Sequence, residues 1–321
     1  MTTFLAAVER RRALSRFALS TAALLACTLG SVASAQESFK TVNEAAAALV
    51  NAARAGDRNA VLGVLGRDAT DIVSSGDPVA DAAARERFVA AFDEKHQIAK
   101  DGDSKAIIVI GQEDFPFPIP LVRKGDAWHF DTAAGRVEIL YRRVGRNELD
   151  TIQACLAYVD AQNEYADKDR TGAGVNVYAQ RIVSEPGKKD GLYWPAADGE
   201  DQSPLGEFVA EATADGYRVG GGRAPFHGYY YKVLTRQGPG AEGGALDYVV
   251  NGKMIGGFAL VAYPAEYGNS GVMTFVVNHK GTIYQKDLGP RTADIAEQMA
   301  SFNPDKTWTA VATTESTIGS E

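Results

Sequence analysis

The sequence predicts an α+β protein: N-terminal helices over a curved antiparallel sheet, followed by a long helix packed on a second antiparallel sheet. Three observations carry this. Between Thr41 and Phe92, apolar residues recur at three- and four-residue spacing. From Ala106 to Phe130, and again from Gly228 onward, short aromatic and β-branched runs are divided by Gly, Asn and Asp. Between the two strand regions lies one helical stretch, NELDTIQACLAYVDAQNEYA.

The first residues are read as a secretory signal, 1–35. Arg10, Arg11, Arg12 and Arg16 precede an apolar run from Phe17 to Leu29, and Ala33-Ser34-Ala35 fits signal-peptidase cleavage. The expected product is exported to the periplasm or cell envelope and is soluble after cleavage behind Ala35. Leu24-Leu25-Ala26-Cys27 loosely resembles a lipobox, so a lipid anchor at Cys27 is the other reading. No later run is apolar enough over about 18 residues to span a membrane. Without residues 1–35 the chain keeps one cysteine, Cys155, so no internal disulfide can form. It also keeps an acidic balance beyond the −8 of the whole chain, which argues against nucleic acid as a partner.

Residues 36–145 read as the first domain. Thr41-Val42-Asn43-Glu44 has the form of a capping box, Gly56 is a stop, and Asp57 caps a second helix through Leu65. A third helix from Val79 turns Ala84, Phe88 and Phe92 inward. Strands follow at 106–110, 119–124 and 127–131. In the last, Trp128 and Phe130 share one face, His129 and Asp131 the other. The three prolines of EDFPFPIP suit a sheet edge.

Residues 146–312 read as the second domain, before a flexible tail at 313–321. Asn147 would cap a helix to Asp167 with Leu149, Ile152, Leu156 and Val159 as its apolar seam; Gly145 is then a hinge, or else the helices run continuous. A loop-rich stretch to Pro204 follows. Strands are expected at 228–235, on either side of Asn251-Gly252, and in GVMTFVVNHKGTIYQKDLG around a turn at Asn278 to Gly281. Thr292 would cap a last helix with Ile295, Met299 and Phe302 inward.

The order of elements over 38–142 and the phrase PLVRKGDAWHFDTAAG resemble nuclear transport factor 2-like domains, which implies helices over a cone-shaped sheet with a pocket. GLYWP, SPLG, FHGYYYKVLTRQG, DYVVNGKMIGGFALVAYPAEYGNSGVMTFVVNHKG and YQKDLG resemble the bacterial exported family catalogued as domain of unknown function 2950, which implies an envelope location and brings no established activity and no catalytic residues. The long helix with GYYYKVL, AYPAEYG and GVMTFVVNHKGTIY is similar to pilin-like and pseudopilin-like headgroups.

No catalytic constellation stands out. His96, His129, His227 and His279 fall in no metal-binding spacing, and Gly220 to Gly222 and Gly238 to Gly240 read as turns. The expected role is a non-catalytic interaction or assembly module with an envelope protein partner. The polar loop residues Asp247, Lys253, Tyr263, Glu266, Tyr267 and Asn269 are the candidate partner surface. The alternative is a small-ligand binder or enzyme using the N-terminal pocket through Glu113, Asp114, His129 and Asp131. No cofactor is evident. Asp167 and Asp169 have the opening spacing of a calcium loop whose twelfth position is Tyr178; a calcium site completed by Glu185, Asp190 or Asp198 is one reading and a polar turn at the helix end the other.

Overall fold

Short polar signals set the first helices. Thr41 caps α1 (Val42–Arg54) by accepting from the Glu44 N–H, and Asp57 caps α2 (Arg58–Leu65) by accepting from Asn59 and Ala60. A 3-10 turn at Arg67–Ala69 and the single turn α3 (Thr70–Val73) lead to α4 (Pro78–Glu94), which starts behind Asp77 with proline at its first position. This computed structural model describes residues 36–172, 174–197, 199–218 and 224–312. Residues 1–35, with the expected signal and Cys27, the glycine run at 220–222 and the residues 313–321 lie outside the described residues.

The first sheet comprises β1 (His96–Asp101), β2 (Lys105–Ile110), β3 (Phe115–Pro116), β4 (Leu121–Lys124) and β5 (Ala127–Phe130). Its order is β1-β2-β4-β5, all antiparallel, with β3 on β2 where the prolines indicated an edge. Ala45, Leu49, Val64 and Phe92 from the helices meet Ile108, Leu121, Trp128 and Phe130 from the strands in one core. Phe88 and Phe92 face it as expected, but Ala84 is exposed. Strand β1 is not foreseen by the sequence reading. Its residues are almost all exposed and so carry no apolar alternation; pairing from His96↔Ile110 to Asp101↔Lys105 recruits it.

The main correction concerns the long helix. It does not begin at Asn147: α5 runs unbroken over Thr132–Ala166, 35 residues or about 52 Å, and Asp131 caps it. Of the two readings of Gly145, the continuous helix is the one that forms. Asn147 is an interior residue, 7 % exposed. Of the expected seam, Ile152, Leu156 and Val159 pack on the second core, but Leu149 is 65 % exposed, and Thr151, Cys155, Tyr158, Gln162 and Tyr165 also turn inward. Buried polar residues widen the inward face. Gln162 donates to the Ala179 carbonyl and to the Tyr158 hydroxyl and accepts from the Ala179 N–H, so it enters the core with its hydrogen bonds made.

Among the described residues no helix or strand follows through the loop-rich stretch until α6 (Gly206–Ala214), which the sequence reading also lacked. The later elements are β6 (Tyr229–Leu234), β7 (Arg236–Gln237), β8 (Leu246–Asp247), β9 (Val249–Val250), β10 (Lys253–Met254), β11 (Ala259–Pro264), β12 (Met273–Asn278), β13 (Ile283–Asp287), α7 (Thr292–Gln298), β14 (Ser301–Phe302) and β15 (Thr309–Ala310). The second sheet has the antiparallel order β15-β13-β12-β11-β6, with α5 packed against β11 and β12. Phe258 and Phe275 are fully buried in its core, each contributing about 2 kcal/mol. Asn251 and Gly252, at φ 50° and 77°, make the two-residue turn between β9 and β10. Gly281 donates to the Asn278 carbonyl at the β12–β13 turn.

The C-terminal expectation needs correcting too. Arg291, not Thr292, stands at the helix N-cap, and Ile295 is 39 % exposed. Phe302 is buried, but in β14, which pairs parallel with β7. The helix ends before it because β7 offers a strand edge.

Candidate functional site

Midway along α5 the inward face turns polar, and two hydrophobic cores meet there across a layer of hydrogen bonds. Arg143 donates to the carbonyls of Asp71 and Ile72 and to Asn269 Oδ1. One turn on, Asn147 Nδ2 donates to the Ser270 carbonyl at 2.8 Å, and Glu148 Oε1 accepts from the Val272 and Met273 N–H groups. The i, i+4 spacing of Arg143, Asn147 and Thr151 places these contacts in one row. Burial pulls the Arg143 pKa down, opposed by the charges of Asp81, Asp71 and Glu266. Burial likewise raises that of Asp81, both of whose oxygens accept from the Ser75 N–H.

Asp77 is the centre of this layer. It is 1 % exposed; Oδ1 accepts from Val79 and Ala80 at the start of α4, and Oδ2 accepts from the Tyr217 hydroxyl and the Gly228 N–H, both at 2.9 Å. Four donors on one carboxylate supply the compensation that a buried charge requires. Burial, then Asp77 itself, pushes the Tyr217 pKa up. Gly228 sits at φ 74°, and a Cβ there would stand 2.5 Å from Asn147 Nδ2, so the chain can approach α5 here only as glycine. Next to it, His227 adopts φ 48° and brings Nδ1 to 3.4 Å from Asp150 Oδ2.

The layer opens to solvent as a cleft of about 350 Å³, lined by Arg58, Arg67, Asp68, Thr70, Asp71, Ser74, Arg136 and Glu266. Arg136 pairs with Asp71 and Asp68. A larger groove of about 750 Å³ lies elsewhere, between α5, α6 and the β12–β13 turn. Its floor holds Leu156, Val159, Phe208, Ile283 and Val311, with Asp160, Glu211 and Lys280 at its edge.

The partner-surface candidates separate. Glu266 and Asn269 reach the cleft and the polar layer, where Asn269 Nδ2 donates to the Ser74 carbonyl and to Glu266 Oε2. The loop thus meets the chain's own α3–α4 connection. Tyr263 is 2 % exposed beside Tyr230, a core residue rather than surface. Tyr267 donates to Asp287 Oδ2, Asp247 is exposed in β8, and Lys253 lies in β10.

The pocket candidates also go to different places. Asp131 caps α5, Asp114 pairs with Lys95 in the β2–β3 turn beside exposed Glu113, and His129 faces Val122 across the strands. The helix-facing side of that sheet is filled by Ile108, Leu121, Trp128 and Phe130. Asp169 accepts from the N–H groups of Thr171 and Gly174, forming a local turn, while Asp167 ends α5. Among the described residues no group of three or more His, Cys, Asp and Glu could hold a metal ion. The sequence reading missed Asp77, Arg143, Tyr217 and the Asp150–His227 pair. The only local signal was Asp77 before a proline, which reads as a helix cap.

Fold and site together define an α+β protein with two hydrophobic cores joined by one long helix and a polar layer at its middle. The chain belongs to the family described as protein of unknown function (DUF2950), whose model matches residues 36–311. No curated protein and no solved structure matches it, so the transport-factor-like and pilin-like resemblances gain no support. Among the described residues, no helix is long and apolar enough to cross a membrane.

Proposed function

We propose that this protein is a non-catalytic interaction module of the cell envelope, exported by its N-terminal signal, which holds an envelope protein in the groove between α5, α6 and the β12–β13 turn. The observation that carries this is the makeup of the groove. About 750 Å³ of space stands over an apolar floor of Leu156, Val159, Phe208, Ile283 and Val311, a volume within the range of binding sites. Asp160 and Glu211 at its rim make no ion pair among the described residues, whereas Lys280 pairs with Glu242. An apolar side chain next to a basic one is the partner chemistry that complements this surface.

Site-specific photocrosslinking in cells tests the reading, with the probe at Gln153 or Glu211 in the groove and at Lys124 as a control. The expected result is one discrete adduct from the groove positions, absent at Lys124 and lost when Leu156→Glu is added. Adducts that are equal at all positions, or that survive Leu156→Glu, would overturn it.

A further inference from the structure

The first sheet ends in β5 on one side and β1 on the other, and the chain treats the two ends differently. At β5, Phe39 and Trp128 exchange backbone hydrogen bonds of 3.0 and 2.8 Å, so that edge is covered. The short β3 is two residues long and ends in Pro116, which has no N–H to offer. β1 has neither device. Its six residues contain no proline or glycine, pair with β2 without a bulge, and are all exposed except Ile98. A regular, uncovered edge of this kind is a template for another strand.

The hydrogen-bond register shows which groups of β1 are open. Gly111 donates to the Lys95 carbonyl, and Phe117, on the far side of β2, donates to the Ile108 carbonyl. Bonding directions alternate along an antiparallel pair. Lys95, Gln97, Ala99 and Asp101 therefore turn their backbone groups toward β2, whereas His96, Ile98 and Lys100 turn theirs outward. Among the described residues no strand or loop bonds to those outward groups.

One antiparallel register matches all three outward residues to those of a second β1: His96 opposite Lys100, Ile98 opposite Ile98 on the two-fold axis, and Lys100 opposite His96. Any other register leaves at least one of them facing beyond the strand. The side chains agree with the same register. Lys95, extended at φ −160° and ψ 130°, prolongs the strand by one residue and falls opposite Asp101 of the second copy. By symmetry this pair occurs twice, at the closer spacing of about 4.5 Å between Cα atoms. Both side chains reach solvent, and their present partners, Asp114 and Lys105, are surface residues. His96 Nδ1 lies 2.9 Å from the Phe92 carbonyl and so donates to it, which leaves Nε2 as an acceptor for the Lys100 ammonium.

We propose that β1 pairs antiparallel with β1 of a second copy of this chain, joining the two first sheets into one across a two-fold axis at Ile98. The charges that deter a foreign strand become, in this one register, the contacts that select the second copy. The edge shares no residue with the groove of the proposed interaction, and Leu156→Glu leaves the pairing unchanged.

Sedimentation equilibrium of the purified full chain between ~1 µM and ~0.5 mM is the test. A reversible monomer–dimer equilibrium within that range is expected, because an edge pairing buries less than the ~800 Å² per partner of standard interfaces. Lys100→Pro removes an outward N–H that β2 does not use and weakens the dimer at least ~10-fold. Residue 100 is exposed, so circular dichroism and melting of that variant match the wild type, which separates loss of pairing from loss of fold. Asp101→Lys, which puts lysine opposite Lys95 at two places, weakens the dimer at least ~10-fold, and adding Lys95→Glu restores it to within ~3-fold. A monomer at every concentration, which would leave β1 to a strand of another protein, would overturn the assignment. So would a dimer undiminished by Lys100→Pro, or no recovery in the Lys95→Glu/Asp101→Lys variant.

Discussion

Replacing Asp77 by alanine should separate the two halves of the molecule energetically. The carboxylate accepts four hydrogen bonds at 1 % exposure: two cap α4, and two hold Tyr217 and Gly228 from the other side of the polar layer. Losing the cap costs about 1 kcal/mol. Leaving the Tyr217 hydroxyl and the Gly228 N–H buried without an acceptor adds about 1–3 kcal/mol each, so a loss of about 4 kcal/mol is expected. Against a net stability of about 5–15 kcal/mol, that is a large share. Urea unfolding followed by tryptophan fluorescence measures it, because Trp128 lies in the first core and Trp194 in the second. Asp77→Asn keeps one acceptor oxygen and should cost about half as much. Tyr217→Phe should cost about 1 kcal/mol, and the two changes should be non-additive by a similar amount. A cost below about 1 kcal/mol for Asp77→Ala would refute the claim that this carboxylate holds the layer together.

Two further outcomes follow from burial. The Cys155 thiol is fully buried and its pKa is pushed up to about 12, so a thiol reagent at neutral pH should leave it unmodified in the native protein and label it stoichiometrically in urea. Burial, with Lys280 beside it, holds the His279 pKa below 6.5, and its Nδ1 is buried without a hydrogen-bond partner among the described residues. The unfolded chain therefore takes up a proton near pH 6.5 that the folded chain resists; this contribution to stability is full above 6.5 and lost as pH falls below it. Melting temperatures across that range should fall for the wild type, and His279→Leu should flatten the dependence. An unchanged slope in the variant would show that other groups govern it.

Part of what depends on neighbours a few residues apart was legible in the sequence, though the Asp131 cap of α5 was not. Thr41, Asp57 and the Asn251-Gly252 pair act over two to four residues, and the structure uses each as the sequence indicates. The alternation that marked Trp128 and Phe130 as core is also local, set by the pleat. The candidate site was legible only in fragments. Glu266 and Asn269 could be picked out as polar loop residues, but not the carbonyl of Ser74, 195 positions from Asn269, that the loop meets. His227 gave no sign of Asp150, because a loop and the middle of a helix become neighbours only on folding.

By itself, then, the sequence determined the α+β class, the starts of α1 and α2 and the Asn251-Gly252 turn, since these rest on backbone preferences and on periodicity. The tertiary structure decided where α5 begins and which way it faces. Asn147, with the look of a cap, became interior, and Gln162 and Thr151 turned inward while Leu149 stayed exposed. A polar side chain enters a core only when a partner satisfies it, and here the partners are the Ser270 carbonyl, Ala179 and the Asn147 carbonyl. The same rule makes Asp77 a joint: its charge is tolerable in the interior because Gly228, 151 positions away, arrives to share it.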